Sequence, residues 1–190
     1  MCGRYNFTVE QSEEIKDILE KLNSKYNNAS YKTGEIRPTD QAPILISSEQ
    51  ELSPVVGSWG FPKFDGKGVI INARAETAFE KKTFRESLVS RRCIIPSTGF
   101  YEWDDKKQKF LFRIDGSSVL YMAGIYNLYA GSLRYTILTT NANESIRDIH
   151  DRMPLVIPKG NIEAWIMDQH STNDLLRREP PQLLKQAVNK

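Results

Sequence analysis

Between Arg92 and Thr140 five segments rich in β-branched and aromatic residues follow one another: Arg92 to Pro96, Gly99 to Trp103, Lys109 to Ile114, Val119 to Tyr126 and Leu133 to Thr140. Asp104-Asp105, Asp115-Gly116 and Ala130-Gly131 separate most of them. Asp and Gly favour tight turns because they accept backbone conformations that other residues resist, so each pair ends one strand and reverses the chain into the next. Short connections join antiparallel neighbours, and the run therefore predicts an antiparallel meander. A chain with so much consecutive strand has little freedom left: whatever else it forms must pack around that sheet.

The flanking sequence supplies helices. Thr8-x-x-Gln11 resembles a helix start, and Ile15, Ile18, Leu19 and Leu22 then recur at helical spacing, which predicts a surface helix. Gly34, Pro38 and Asp40 mark the stretch from Tyr31 to Gln41 as a loop; Pro43 to Ser47, Leu52 to Phe61 and Gly68 to Ala73 read as strands. Short helical pieces are expected in Glu76 to Ser90, where Phe79, Phe84 and Leu88 form the apolar face, and again in Asn143 to Ile149, Asn161 to Met167 and Asn173 to Arg178. Grouped strands with helices around them give an α+β fold. With 190 residues, 39% hydrophobic content and no repeat or low-complexity tract, one domain over residues 1–190 is expected.

The same composition narrows the function. A formal charge of +2 is too small for nucleic-acid binding by bulk polycation character, so any such binding needs a local groove. No apolar run approaches a membrane span and the N-terminus has no signal-peptide core, so the expectation is a soluble, intracellular, cytoplasmic protein, nucleoid-associated if bacterial. Cys2 and Cys93 are too few for a disulfide framework, and Cys93, in an apolar run, reads as a core residue. Two histidines and two cysteines without CxxC or HxxxH spacing make a metal site unexpected, and no cofactor is expected.

Chemistry concentrates at the N-terminus. Removal of Met1 leaves Cys2 with an α-amine (pKa about 7.7–8.0) beside a thiol (about 8.5), a 1,2-aminothiol. Such a pair condenses with an aldehyde to an imine and closes through sulfur to a thiazolidine, with no cofactor. Four further polar residues sit where strands meet turns. Asn72 and Arg74 alternate onto one face at the end of an apolar strand, able to hold a substrate oxygen and a phosphate, or else to cap the next helix and pair with Glu76. Glu102 lies in Gly99-Phe100-Tyr101-Glu102-Trp103, where desolvation suits a carboxylate to acid–base work unless it is the outward residue of an amphipathic strand. His150, in Ile149-His150-Asp151-Arg152-Met153-Pro154, titrates near neutrality and can shuttle a proton or serve as a structural residue; His170, in a polar loop, is assigned no role. Thiol, carboxylate and imidazole equally fit a Cys-His-Glu hydrolase, so residue types leave the reaction open.

Taken together, the segments Met1-Cys2-Gly3-Arg4, Pro38-Thr39, Trp59-Gly60 with Pro62, Asn72-Ala73-Arg74-Ala75-Glu76-Thr77, Arg92-Cys93-Ile94-Ile95-Pro96, Gly99 to Trp103, Thr139-Thr140-x-Ala142-Asn143 and His150 to Pro154 resemble the SOS response-associated peptidase (SRAP) family, whose members crosslink to abasic sites in single-stranded DNA. The resemblance implies a barrel-like, largely antiparallel β core surrounded by short helices, and a monomer acting on abasic single-stranded DNA. It implies Cys2 as the crosslinking nucleophile, Glu102 as the proton-handling carboxylate in imine formation and in Met removal or crosslink reversal, His150 as the residue assisting ring opening of the sugar, and Asn72 as the positioner of the N-terminal residue or sugar. It implies Arg4, Arg74 and Arg152 as phosphate contacts, Trp59 and Pro38 as wedges against bases, and Thr139 as a neighbour of the sugar. A thiol peptidase using Cys2 on protein, and a noncatalytic strand binder using Trp59, Phe61 and the arginines, are the other readings. The Phe61 to Gly68 segment is shorter than the family pattern, Ser97-Thr98 replaces Ala-Asp, and a C-terminal element is expected to be reduced.

Overall fold

In the computed structural model, which describes residues 2–10, 12–27 and 29–188, the strands are β1 (Arg4–Phe7), β2 (Gly34–Ile36), β3 (Gln41–Ser48), β4 (Glu51–Trp59), β5 (Phe61–Pro62), β6 (Val69–Ile70), β7 (Asn72–Arg74), β8 (Arg92–Ser97), β9 (Gly99–Trp103), β10 (Lys109–Ile114), β11 (Leu120–Tyr129), β12 (Ser132–Asn141), β13 (Arg152–Pro154) and β14 (Leu183–Val188). The helices are α1 (Glu13–Lys25), α2 (Lys82–Ser90), α3 (Ile162–Met167) and α4 (Thr172–Arg177), with 3-10 turns at Ala75–Thr77 and Lys159–Asn161.

Strands β11, β8, β3, β4 and β12 pair in that order, and β12 pairs back onto β11, which closes the sheet into a ring. Closure leaves these strands without a free edge and surrounds a common interior. All contacts in the ring are antiparallel except β4–β12, where Arg134 and Tyr135 run parallel to Ser58 and Trp59. β7 continues that parallel edge, setting Asn72 beside Ile137 and Arg74 beside Thr139. On its other edge the far end of β12 carries β13, with Asn141 opposite Arg152. Gly124 permits the closure: it faces Cys93 of β8 and Ile137 of β12, and a Cβ there would lie 2.4 Å from Ile95 Cδ1 and 2.9 Å from the Thr136 carbonyl.

A second sheet, ordered β14-β10-β9-β1-β2, lies against this ring. Its inward residues include Tyr5, Phe7, Phe100 and Phe112, all fully buried, and the Tyr5 ring meets Trp59 of the ring with centroids 5.3 Å apart. Burial of each such side chain stabilises by roughly 1.5–3 kcal/mol, so the joint between the two sheets is a main part of the core. Helix α1 lies along β4 with Ile15, Leu19 and Leu22 turned inward. Arg92 joins α2 and α3 to the ring, donating to the carbonyls of Leu88 (2.9 Å), Val89 (2.6 Å) and Trp165 (2.5 Å).

The expected α+β class and barrel-like core are present, whereas the expected meander is not one sheet. β8 and β11 belong to the ring and pair directly, while β9 and β10 between them fold out into the second sheet. Helix α1 starts later than Thr8 implies: Ser12 is its cap, accepting from the Ile15 N–H at 3.3 Å, and Gln11 lies outside the described residues. Asn143 to Ile149 forms turns rather than a helix, because the Asn143 side chain binds the Pro180 and Pro181 carbonyls and the Ser145 N–H. Gly34–Ile36, expected as loop, is strand β2, and β1, β13 and β14 are strands the periodicity does not announce. Among the described residues no helix is long and apolar enough to cross a membrane.

Candidate active site

The site forms where the starts of β1 and β7, the end of β9 and the approach to β13 converge. β1 pairs antiparallel with β9, Arg4 opposite Tyr101 and Tyr5 opposite Phe100, so the residues before Arg4 run alongside Glu102. Asn72 reaches across from β7 and donates its side-chain N–H to the Cys2 carbonyl at 2.9 Å. The Asn72 Oδ1 is buried and finds no partner among the described residues. The Cys2 thiol, fully enclosed, donates to the Arg4 carbonyl at 3.7 Å. Burial, and after it the negative charge of Glu102, push this thiol well above its ordinary range, so at neutral pH it is protonated.

Glu102 is an inward residue. Alternation along β9 puts Tyr101 and Trp103 outward and leaves this carboxylate 3% exposed. Burial raises its pKa and the nearby Asp151 charge adds to the rise. The alternative of an outward residue on an amphipathic strand is therefore excluded. A carboxyl held toward neutrality can both give and accept a proton, as general acid–base catalysis requires.

His150 precedes β13 and is about a quarter exposed. Its Nδ1 accepts from the Arg152 backbone N–H at 2.9 Å, which places the proton of the neutral ring on Nε2. Asp151 Oδ1 lies 2.9 Å from the same nitrogen, but burial lowers the His150 pKa, so at neutral pH this contact is not an ion pair. Asp151 is thus electrostatically linked to both His150 and Glu102.

The six residues expected to touch nucleic acid divide into two groups. Arg4, Pro38 and Arg74 are exposed or half-buried and available. Trp59, Thr139 and Arg152 are enclosed. Trp59 packs on Tyr5 and donates its indole N–H to the Ile71 carbonyl at 2.9 Å, so its ring lies in the core. Its backbone anchors the Pro38 loop, the N–H donating to the Asp40 carbonyl and the carbonyl accepting from Thr39 N–H at 2.8 Å. Thr39, beside Pro38, is held at φ 76°, a left-handed conformation costly for a β-branched residue and sustained only by such anchoring. Arg152 makes a two-pronged contact with Glu76 (2.7 and 2.9 Å) and donates to Asn141 Oδ1 and the Thr139 carbonyl, each at 2.7 Å. It is a buried clasp between β12, β13 and the turn after β7, and Thr139, whose carbonyl it binds, is enclosed with it. Glu76 therefore pairs with Arg152, not with Arg74. Asp151 and Glu76 were missed as participants; the adjacency of Asp151 to His150 was the available signal, whereas nothing local marks Glu76. No group of three or more His, Cys, Asp or Glu able to hold a metal occurs among the described residues.

Known proteins resemble this chain over most of its length. YobE and YoaM of Bacillus subtilis (strain 168), both named abasic site processing proteins, are 43% identical over 196 residues and 42% over 197; each alignment covers 93% of this chain, and 87% and 84% of the relatives. YedK of Escherichia coli (strain K12), with the same description, is 29% identical over 184 residues, covering 90% of this chain and 82% of YedK. A crystal structure of a Bacteroides thetaiotaomicron protein superposes with a TM-score of 0.81 at 24% identity, covering 99% of this chain and 92% of the other, and shares its fold. The family model for SOS response associated peptidase (SRAP) matches residues 1–189, and the chain belongs to that family.

Proposed function

We propose that this protein, once Met1 has been removed, forms a covalent thiazolidine crosslink with abasic sites in single-stranded DNA through Cys2. The α-amine adds to C1′ of the open-chain aldehyde and loses water to give an imine. The thiol then adds to the imine carbon, forming the C–S bond while its proton passes to the nitrogen. Glu102 moves the protons of the first step, His150 assists opening of the deoxyribose ring, and Asn72 holds the Cys2 backbone with its Oδ1 left to receive the amine or a sugar hydroxyl. Arg4 and Arg74 bind phosphate, and Pro38 meets the neighbouring base. The protein acts as a monomer, and a damaged site without a base is read by its backbone and aldehyde.

The observation that carries this reading is the grip of Asn72 on the Cys2 backbone, 2.9 Å, beside a carboxylate whose burial holds it toward neutrality. The names of the relatives agree in substrate. Incubation of mature protein with abasic single-stranded DNA should yield an adduct that survives denaturation. Cys2→Ala and a blocked α-amine should each abolish it. Persistence of the same adduct in Cys2→Ala would sink the proposal, whereas acyl transfer surviving amine blockage would favour the peptidase.

A further inference from the structure

On the outward face of the second sheet three cations converge on a single carboxylate. Glu35 accepts from Arg4 Nη1 at 2.9 Å and Arg37 Nε at 3.1 Å, and it also accepts from Lys109 Nζ. Strand register explains the convergence. Arg4 is opposite Tyr101, Lys109 is opposite Trp103, and Asn6, two residues along β1 from Arg4, is opposite Glu35, so alternation sets all of them on one face. Two aromatic rings floor the cluster: Lys109 Nζ stands 3.8 Å from the Tyr101 ring centre and Arg4 Cζ 5.3 Å from that of Trp103. The neighbouring Asp40 carboxylate, which receives the Arg37 N–H, is itself paired with Lys32 at 2.6 Å. Among the described residues Glu35 is the acidic partner of all three cations, so three positive charges face one negative and two remain uncompensated.

An ordinary surface ion pair is one to one and holds flexible side chains weakly. Here the shared carboxylate and the aromatic floor order the cationic heads in advance, which lowers the ordering cost of binding an anion. The face begins beside the candidate active site, because Arg4 follows Cys2 by two residues, while Glu102 lies on the opposite, inward face of β9. We propose that Arg37 and Lys109, preset with Arg4 by Glu35, form a phosphate-binding track for the single strand as it leaves the candidate active site, with Glu35 as a positioning residue. The proposal rests on the nucleic-acid reading of the site but concerns affinity for the strand, not the crosslink.

The test uses a fluorescent, undamaged oligothymidylate and anisotropy titrations of the full chain over a salt series. Single-strand binding loses about 0.7 in the log–log salt slope for each phosphate contact removed. Lys109→Met and Arg37→Met should each weaken binding roughly threefold to tenfold and flatten the slope by about that amount. Lys21→Met, which removes the same charge from exposed α1, should change neither, and Lys109→Arg should restore both. Variants that bind with unchanged affinity and slope, a Lys21→Met effect as large as theirs, or no wild-type binding to oligothymidylate would overturn the track. So would displacement by polyglutamate as effective as by DNA. Wild-type protein that binds the strand through this face yet forms no abasic adduct would refute the crosslinking proposal and leave the track standing.

Discussion

Arg152 shows how a residue's identity and its role part company. The family resemblance implies Arg152 as a phosphate contact, and here its guanidinium is buried and satisfied by Glu76, Asn141 and Thr139. Charged hydrogen bonds of this kind contribute about 1.5–3 kcal/mol, and loss of one partner leaves a buried charge behind. Glu76→Gln should therefore destabilise the fold by about 1–3 kcal/mol at neutral pH, measured by urea denaturation. The bond to Arg152 lowers the Glu76 pKa, so its stabilisation is fully present above the unfolded carboxylate range and disappears as pH falls through the lower folded value. The gap between wild type and variant should accordingly close in acid; a gap independent of pH would contradict the assignment. Cys2, Asn72, Glu102 and His150 were legible as candidate chemistry because thiol, amide, carboxyl and imidazole differ in kind from their apolar surroundings. Trp59 was legible only as an aromatic, since exposure depends on what packs over it.

At the level of elements, the alternating apolar segments announced β9 and β10 with their bounds intact, and the spacing of Ile15, Leu19 and Leu22 announced α1. Strands β1 and β13 escaped because three or four residues are too few to show a period, and β14 because it is an edge strand in which only Leu183 is buried. Such segments become strands by finding a partner, which no local signal records. Gly124 illustrates the same dependence. Its lack of a side chain matters only because β8 and β12 both approach it. A methyl group there meets Ile95, Cys93 and a backbone carbonyl at 2.4–3.0 Å, so Gly124→Ala should cost about 1–3 kcal/mol through overpacking at the ring closure. In chemical denaturation the midpoint should fall with little change in slope; an unchanged midpoint would show that the ring tolerates the strain.

Across the whole molecule, the candidate site depends on how the two sheets are joined, since Cys2 and Glu102 come with the second sheet while Asn72 and the His150 segment come with the ring. Tyr5 and Tyr135 cross that joint through a buried hydroxyl pair 2.7 Å apart. Tyr5→Phe or Tyr135→Phe alone strands one buried hydroxyl and should cost about 1–3 kcal/mol, whereas the double variant should cost less than the two losses summed. Simple additivity in that cycle would mean the pair does not couple the sheets. The sequence by itself determined the α+β class, the core strands and the reactive groups, because periodicity, turn chemistry and functional-group identity are local properties. Only the tertiary structure decided which groups meet, that Glu102 faces inward, that Trp59, Thr139 and Arg152 are enclosed, and that three cations share Glu35. Those outcomes follow from ring closure and strand register, which bring together residues distant in the chain and set how much water each retains.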